Sequence, residues 1–371
     1  MVAQLWLTSC VELTVNGHCD PAFAAVREAF AAGFAAGEDS GAAVSVRVAG
    51  RTVVDLWGGP WQRATVVNLF SVTKGVLAVC AHRLIERGQL DPEAPVTRYW
   101  PEFTAPATVA DLLAHRAGLP ALRAAQPPGA LFDWAHLTAA LAAEQPWWEP
   151  GTAHGYHPVT WGWLVGEVLR RVSGRTPREL VAQLGLDLHI GLPLAQAHRA
   201  APITAAPLVP PGPGRPGREL LAALGDRTSM AALAFVNPPD LLTPDLVADP
   251  RWRQAEIPAA NGHGNARALA ELYGALACQD LPGAVEERSA GRDAVLLGHT
   301  RFSLGFMLPG ELRPFSPGPR AFGHPGAGGA LGFADPDARL GFGFTPSRTI
   351  TTLHGADPRW QRLVPAVYSC L

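Results

Sequence analysis

The 371-residue chain has almost no lysine. Of its 30 basic residues 29 are arginine, and the single lysine is Lys74. Arginine keeps its proton at any accessible pH, whereas a buried lysine can lose its proton and act as a base. Arginine serves wherever this chain needs a surface cation, so a solvated surface role does not account for Lys74. An excess of positive charge is also missing, since the formal net charge is −2. That leaves no basic footprint for nucleic acid and no polybasic patch for a membrane surface. Cysteines are few and scattered: Cys10, Cys19, Cys80, Cys278 and Cys370. An odd set without a C-x-x-C pair makes neither a disulfide frame nor a zinc site, and a cytoplasmic location is expected. Leu7-Thr8-Ser9-Cys10 looks like a lipoprotein cleavage box, but the first charge is Glu12, so no basic leader region is seen. No apolar run reaches the roughly 18 residues that span a bilayer.

What the chain does contain is 48% hydrophobic residues, 17% charged residues, 35 prolines and 39 glycines. This is a loop-rich globular composition, long enough for two or three domains or one large enzyme. The organising stretch is Leu69-Phe70-Ser71-Val72-Thr73-Lys74-Gly75-Val76-Leu77. Val76, Leu77, Cys80, Ala81, Leu84 and Ile85 recur at helical spacing, and Gly88 suits the position just past a helix end. Residues three apart on a helix share a face, with Cβ atoms about 5–6 Å apart, so the Lys74 amine reaches the Ser71 hydroxyl. At the helix N-terminus the backbone field favours negative charge on the serine oxygen and disfavours a protonated amine. Ser-x-x-Lys is a variant of the activated serine nucleophile.

Asp20-Pro21 is expected to cap and open a helix with Phe23, Val26, Phe30 and Phe34 on its apolar face. Alternation over 43–48 and 52–57 around Ala49-Gly50 reads as a β-hairpin. Thr108 and Asp111 form a capping-box pattern before a helix over 109–115. Helices are expected over 133–144, 158–173, 219–236 and 265–278, and strands over 302–308, 330–334 and 340–345. Asp357-Pro358 caps a closing helix. Residues 200–218 hold six prolines and three glycines and read as a loop or linker, with a lid over the site as a hypothesis. The pattern is α+β: an antiparallel sheet built from both chain ends (1–70 and 300–371) and flanked by helices, with a mostly helical domain (71–299) inserted. A site is expected where the two meet.

Tyr156, one of four tyrosines, follows the rigid loop Glu149-Pro150-Gly151-Thr152 and precedes a helix. A phenol near an ammonium and a helix N-terminus can have a depressed pKa and could shuttle the serine proton. In Gly323-His324-Pro325-Gly326-Ala327-Gly328-Gly329, glycines let backbone N–H groups approach a ligand closely. One such N–H, paired with that of Ser71, would make an oxyanion hole. Trp147 and Trp148 precede Tyr156 and could form an aromatic wall. His154, His157, His263 and Asp55 suggest a Ser-His-Asp set, but no G-x-S-x-G elbow surrounds any serine. The histidines show no metal-ligand spacing.

Taken together, Phe70-Ser71-Val72-Thr73-Lys74-Gly75, Arg87-Gly88-Gln89-Leu90-Asp91, the run from Val109 to Pro120, Glu149-Pro150-Gly151-Thr152 before Tyr156, and Gly323-His324-Pro325-Gly326 resemble the serine β-lactamase-related family. That family includes class C β-lactamases, D-Ala-D-Ala peptidases, β-lactamase-like carboxylesterases and lovastatin-type acyltransferases. The resemblance runs in order over residues 40–345. It implies Ser71 as acylated nucleophile, Lys74 as its base or the base's partner, and Tyr156 as proton shuttle. It implies oxyanion N–H groups at Ser71 and Ala327. His324, Gly326, Trp148 and His157 are the candidate substrate-binding residues. It implies no metal and no organic cofactor. Two departures stand out. The family's Tyr-x-Asn reads Tyr156-His157-Pro158, and its Lys-Thr-Gly reads His324-Pro325-Gly326. The first loses a substrate-holding amide and the second a carboxylate-gripping cation. Both point away from penicillin and D-Ala-D-Ala substrates and toward the esterase branch. The expected activity is hydrolysis of small or medium carboxylic esters. Acyl transfer to an alcohol or amine is the alternative, a D-amino-acid amidase comes third, and a non-catalytic ligand-binding module is the competing class. The expected partner is a small-molecule ester or acyl donor.

Overall fold

The computed structural model describes residues 14–206, 217–349, 355 and 357–371. Cys10 and most of the proline-rich stretch, with the lid suggested for it, lie outside the described residues. Strand β1 (Val15–Cys19) leads through a 3-10 turn into helix α1 (Ala24–Ala35). Asp20 does not cap it. Its carboxylate pairs with His18 and Arg51 instead. Strands β2 (Ala42–Val48) and β3 (Arg51–Gly58) form the expected hairpin. Ala49 and Gly50 both have positive φ, 49° and 78°, which matches the right-handed strand twist across a two-residue turn.

Helix α2 (Val72–Glu86) follows Ser71 and is stopped by Gly88 at φ 66°. Helix α3 (Val109–Leu113) carries the Thr108–Asp111 capping box. It ends earlier than expected because His115 turns to φ 61°. Helix α4 (Thr160–Ser173) ends at left-handed Gly174. The helix expected over 219–236 is two, Arg218–Gly225 and Met230–Val236, because Ser229 caps the second through Ala232 N. Helix α5 (Ala266–Leu276) comes next, then the hairpin of β4 (Ser289–Arg292) and β5 (His299–Phe302). The strand expected over 302–308 is interrupted: the chain turns at Gly305, φ 87°, and Met307 bridges to Gly323. Strands β6 (Phe322–Pro325), β7 (Leu331–Asp335) and β8 (Leu340–Pro346) precede helix α6 (Pro358–Tyr368), which Asp357 caps.

Six strands form one antiparallel sheet in the order β1-β3-β2-β8-β7-β6. Its centre joins the two chain ends, with Val46 opposite Phe342. Strand β8 alternates glycine with large residues, and each set has its own face. Leu340, Phe342 and Phe344 pack with Val44 and Leu56 against Phe30 and Phe34 of α1 and Trp360 and Leu363 of α6. Each such side chain stabilises the fold by about 1.5–3 kcal/mol. On the other face a Cβ at Gly341 would lie 2.1 Å from Gly274 N, and one at Gly343 would lie 2.1 Å from Ala266 O. Glycine there lets α5 lie directly on the sheet. Although α5 falls within 71–299, it belongs to the sheet layer. A second core gathers α2, α3 and α4 around Val76, Leu77, Leu113, Trp161 and Leu164. Among the described residues no helix is long and apolar enough to cross a membrane.

Candidate active site

Ser71 stands at the N-cap position of α2 without a capping bond from its side chain and is partly exposed at the junction of the two cores. The turn before it is strained, since Phe70, a bulky residue, has φ 47°. Neighbours hold it there. Thr73 N and Thr73 Oγ1 donate to Phe70 O, and Gly262 N donates to Thr73 Oγ1 at 2.9 Å. Leu69 N donates to Gly262 O at 2.7 Å. Ser71 is thereby fixed by the short strand Gly262–Gly264 as well as by its own helix.

Lys74 is fully buried, with Nζ 3.3 Å from Ser71 Oγ. Nζ donates to Pro158 O at 2.7 Å and Ala259 O at 3.0 Å. Burial pushes its pKa well below the ordinary lysine value. A neutral amine has two N–H groups and one lone pair. In that neutral form the two carbonyls take both N–H groups, which leaves the lone pair for the Ser71 hydroxyl.

Lys74 Nζ lies over the Tyr156 ring, 4.7 Å from the centroid, and the phenol is close enough to Ser71 for that side chain to act on its pKa. Phe302 stacks parallel to the ring at 6.1 Å. Its pKa does not follow the sequence expectation. Desolvation raises it, and the Ser71 side chain opposes that only in part. The phenol is held protonated because no nearby charge outweighs its removal from water.

Gly326 packs against the segment before Ser71. Its N–H donates to Ala330 O at 2.7 Å, and a Cβ there would lie 2.5 Å from Leu69 O. That close approach brings Ala327 to the same cavity as Ser71. Among the described residues, neither the Ser71 nor the Ala327 N–H has a protein acceptor. The cavity is about 360 Å³ and largely apolar, with Phe70, Val159, Ile203, Phe235, Leu246 and Trp252 on its walls.

Residues 26–365 match the Beta-lactamase family. The chain belongs to that family. Esterase/beta-lactamase LipL of Mycobacterium tuberculosis is 34% identical to it, over 91% of this chain and 84% of the relative. A family VIII carboxylesterase structure superposes with a TM-score of 0.85 at 38% identity, over 96% of this chain and 100% of the other. EstA from Arthrobacter nitroguajacolicus Rue61a gives a TM-score of 0.83 at 31% identity, over 95% and 97% of the two chains. This beta-lactamase family member is a serine hydrolase of the esterase type.

Within the beta-lactamase frame, three expected substrate contacts are placed differently. His157 is buried and held by the backbone: Nδ1–H donates to Gly155 O at 2.6 Å, and Nε2 accepts from Leu119 N at 3.1 Å. Both ring nitrogens are occupied, so it pins the loop instead of meeting a ligand. Trp148 donates to Arg116 O at 3.2 Å and packs edge-on to His157. It braces the Tyr156 segment from outside, and the cavity's aromatic walls are Phe70, Phe235 and Trp252. His324 is buried with its ring centroid 5.9 Å from that of Tyr156. Nδ1–H donates to Pro325 O at 2.8 Å, Nε2 has no partner among the described residues, and burial pushes the pKa down to about 3. A neutral, enclosed imidazole cannot replace the family's carboxylate-gripping cation.

Of the histidines that suggested a Ser-His-Asp set, His263 lines the cavity, with Nδ1 bonded to Asn261 O and its pKa pushed down to about 4 by burial. Asp55 pairs with Arg63 at 3.0 Å. Two residues that sequence reasoning missed hold the Tyr156 segment. Gly155 N donates to His115 O at 3.1 Å, His157 N donates to His115 Nδ1 at 3.1 Å, and Tyr156 N donates to the Asp293 carboxylate at 3.0 Å. Only the place of His115 within a quoted motif, the run from Val109 to Pro120, could have hinted at the first.

Proposed function

We propose that this esterase cleaves small or medium carboxylic esters with apolar acyl groups through an acyl-enzyme on Ser71. Lys74 takes the Ser71 hydroxyl proton as Oγ bonds to the ester carbonyl carbon. The oxyanion receives the N–H groups of Ser71 and Ala327. On collapse the ester C–O bond breaks, Tyr156 gives its proton to the departing alkoxide, and the Lys74 ammonium restores that proton. Water then repeats the sequence, passing a proton to the reset base, and releases the acid. General base catalysis contributes about 10²–10⁴-fold and each oxyanion donor about 10²–10³-fold.

The observation that carries this reading is the saturation of Lys74 by two backbone carbonyls, which aims its lone pair at Ser71. The cavity supports the substrate class. At about 360 Å³ it falls in the range of small-molecule sites. Its apolar walls suit an acyl chain.

Intact-protein mass after exposure to a fluorophosphonate probe and to p-nitrophenyl esters tests it, with Ser71→Ala beside wild type. One adduct per wild-type chain, turnover by wild type and neither with Ser71→Ala are expected. A folded wild type that takes no adduct from either reagent would remove Ser71 as nucleophile. An acceptor alcohol added to the same assay separates transfer from hydrolysis.

A further inference from the structure

We infer that Asp293, at the tip of the β4–β5 hairpin, is the positioning residue that sets where the Tyr156 phenol stands during acylation. The inference rests on the proton-donor role proposed for Tyr156. Asp293 is fully buried and lies far from Ser71 in sequence, yet among the described residues its carboxylate is bonded only by Tyr156 and its own hairpin. Both carboxylate oxygens accept from Tyr156 N at 3.0 Å. Oδ1 also accepts from Val295 N at 2.9 Å and Leu296 N at 2.8 Å. Oδ2 accepts from Thr300 Oγ1 at 2.9 Å, and Thr300 Oγ1 accepts from His154 Nε2 at 3.0 Å. Ala294 N closes the loop by donating to His154 O at 3.0 Å.

The bonds run in one direction, from imidazole to hydroxyl to carboxylate, with the Tyr156 amide meeting the carboxylate from the other side. A buried carboxylate is costly unless it collects donors, and these donors are the reason it is tolerated. The hairpin also supplies Phe302, which stacks on the Tyr156 ring. One hairpin therefore fixes both the main chain and the ring plane of the phenol. The amides on either side, of Gly155 and His157, are bound to His115, so Asp293 sets the one remaining amide. Releasing it frees the segment to move at the position that bears the hydroxyl. A shift of about 1 Å in a reacting group can lower a rate about a hundredfold.

The leaving group exposes this role. p-Nitrophenolate departs without a proton, whereas an alkoxide needs one at the moment the C–O bond breaks. A misplaced Tyr156 should therefore spare p-nitrophenyl acetate and penalise ethyl acetate. Asp293→Asn removes the acceptor for Thr300 and one acceptor for Tyr156 N while keeping the shape. Thr300→Val is a milder second variant that keeps the carboxylate. For each, kcat/KM is measured per fluorophosphonate-titrated site over acetates graded from p-nitrophenyl to ethyl, with Tyr156→Phe as reference. Asp293→Asn should stay within about threefold of wild type on p-nitrophenyl acetate and fall about a hundredfold on ethyl acetate. Thr300→Val should steepen the same dependence to a smaller degree. An equal fall on all esters, or no change in leaving-group dependence in either variant, overturns the inference. If Tyr156→Phe itself shows no steeper dependence, the proton-donor reading fails first. If only the Asp293 and Thr300 variants lack it, the positioning role alone fails.

Discussion

Because the chain has one lysine, the proposed base can be titrated directly. Lysine labelled with carbon-13 at Cε yields a single side-chain resonance, that of Lys74. Burial alone, with no carboxylate paired to it among the described residues, holds its pKa well below 10.5. The unfolded chain keeps the ordinary value. Between the folded pKa and 10.5 the unfolded chain binds one proton more than the folded chain. Stability contributed by this group therefore rises with pH across that window and levels off above it. The slope approaches about 1.4 kcal/mol per pH unit within the window. Below the folded pKa both states are protonated, and the full cost of burying the ammonium is present. Lys74→Met keeps most of the packing and removes the titration. The denaturation free energy of wild type relative to Lys74→Met should thus climb with pH inside the window, and the acid limb of kcat/KM should share its lower edge. A resonance titrating at or above 10.5, or a stability difference flat with pH, refutes the neutral amine and with it the lone pair aimed at Ser71.

The Tyr273 hydroxyl is buried without a partner among the described residues, so Tyr273→Phe should stabilise the protein by about 1 kcal/mol in urea denaturation. A Cβ at Gly75 would lie 2.2 Å from that hydroxyl, so Gly75→Ala should destabilise by about 1–3 kcal/mol, and the pair combined should recover most of the loss. Trp252→Ala opens the cavity wall and should move the best p-nitrophenyl ester to a longer acyl chain, at about fourfold in kcat/KM per methylene newly buried. Arg359 is buried between Asp39 at 3.0 Å and Asp357 at 2.6 Å, so Arg359→Met should destabilise by about 3–5 kcal/mol, read as a lowered Tm.

The nearness of Ser71 and Lys74 was legible because it rests on a scarce residue at a local, helical spacing. The placing of Tyr156 beside Lys74, and of Ala327 on the same cavity as Ser71, was legible by position within ordered motifs. The sheet from both ends followed from strand patterns at the termini. Other features depend on what lies across the fold. Nothing near Arg292-Asp293-Ala294 in sequence marks a carboxylate that will meet Tyr156 N, 137 residues away. A histidine bonded to backbone at both nitrogens reads in sequence like one that meets a ligand, which is why His157 was misplaced. The field argument for Tyr156 had the wrong sign because burial, set by packing against Phe302 and His115, outweighs it. The glycines of β8 show their purpose only when α5 is seen lying on them.

The pairing of β2 with β8 also bears on when the enzyme comes alive. Synthesis proceeds from the N-terminus, so Ser71 and Lys74 leave the ribosome long before β6, β7 and β8 exist. Until those strands arrive, β2 lacks its central neighbour, α5 has no complete floor, and the N–H of Ala327 has yet to be made. A nascent chain thus holds the proposed nucleophile beside an unfinished candidate oxyanion site. Ester turnover by ribosome-bound chains of increasing length would then begin abruptly once β8 clears the exit tunnel, making activity a clock for completion of the sheet.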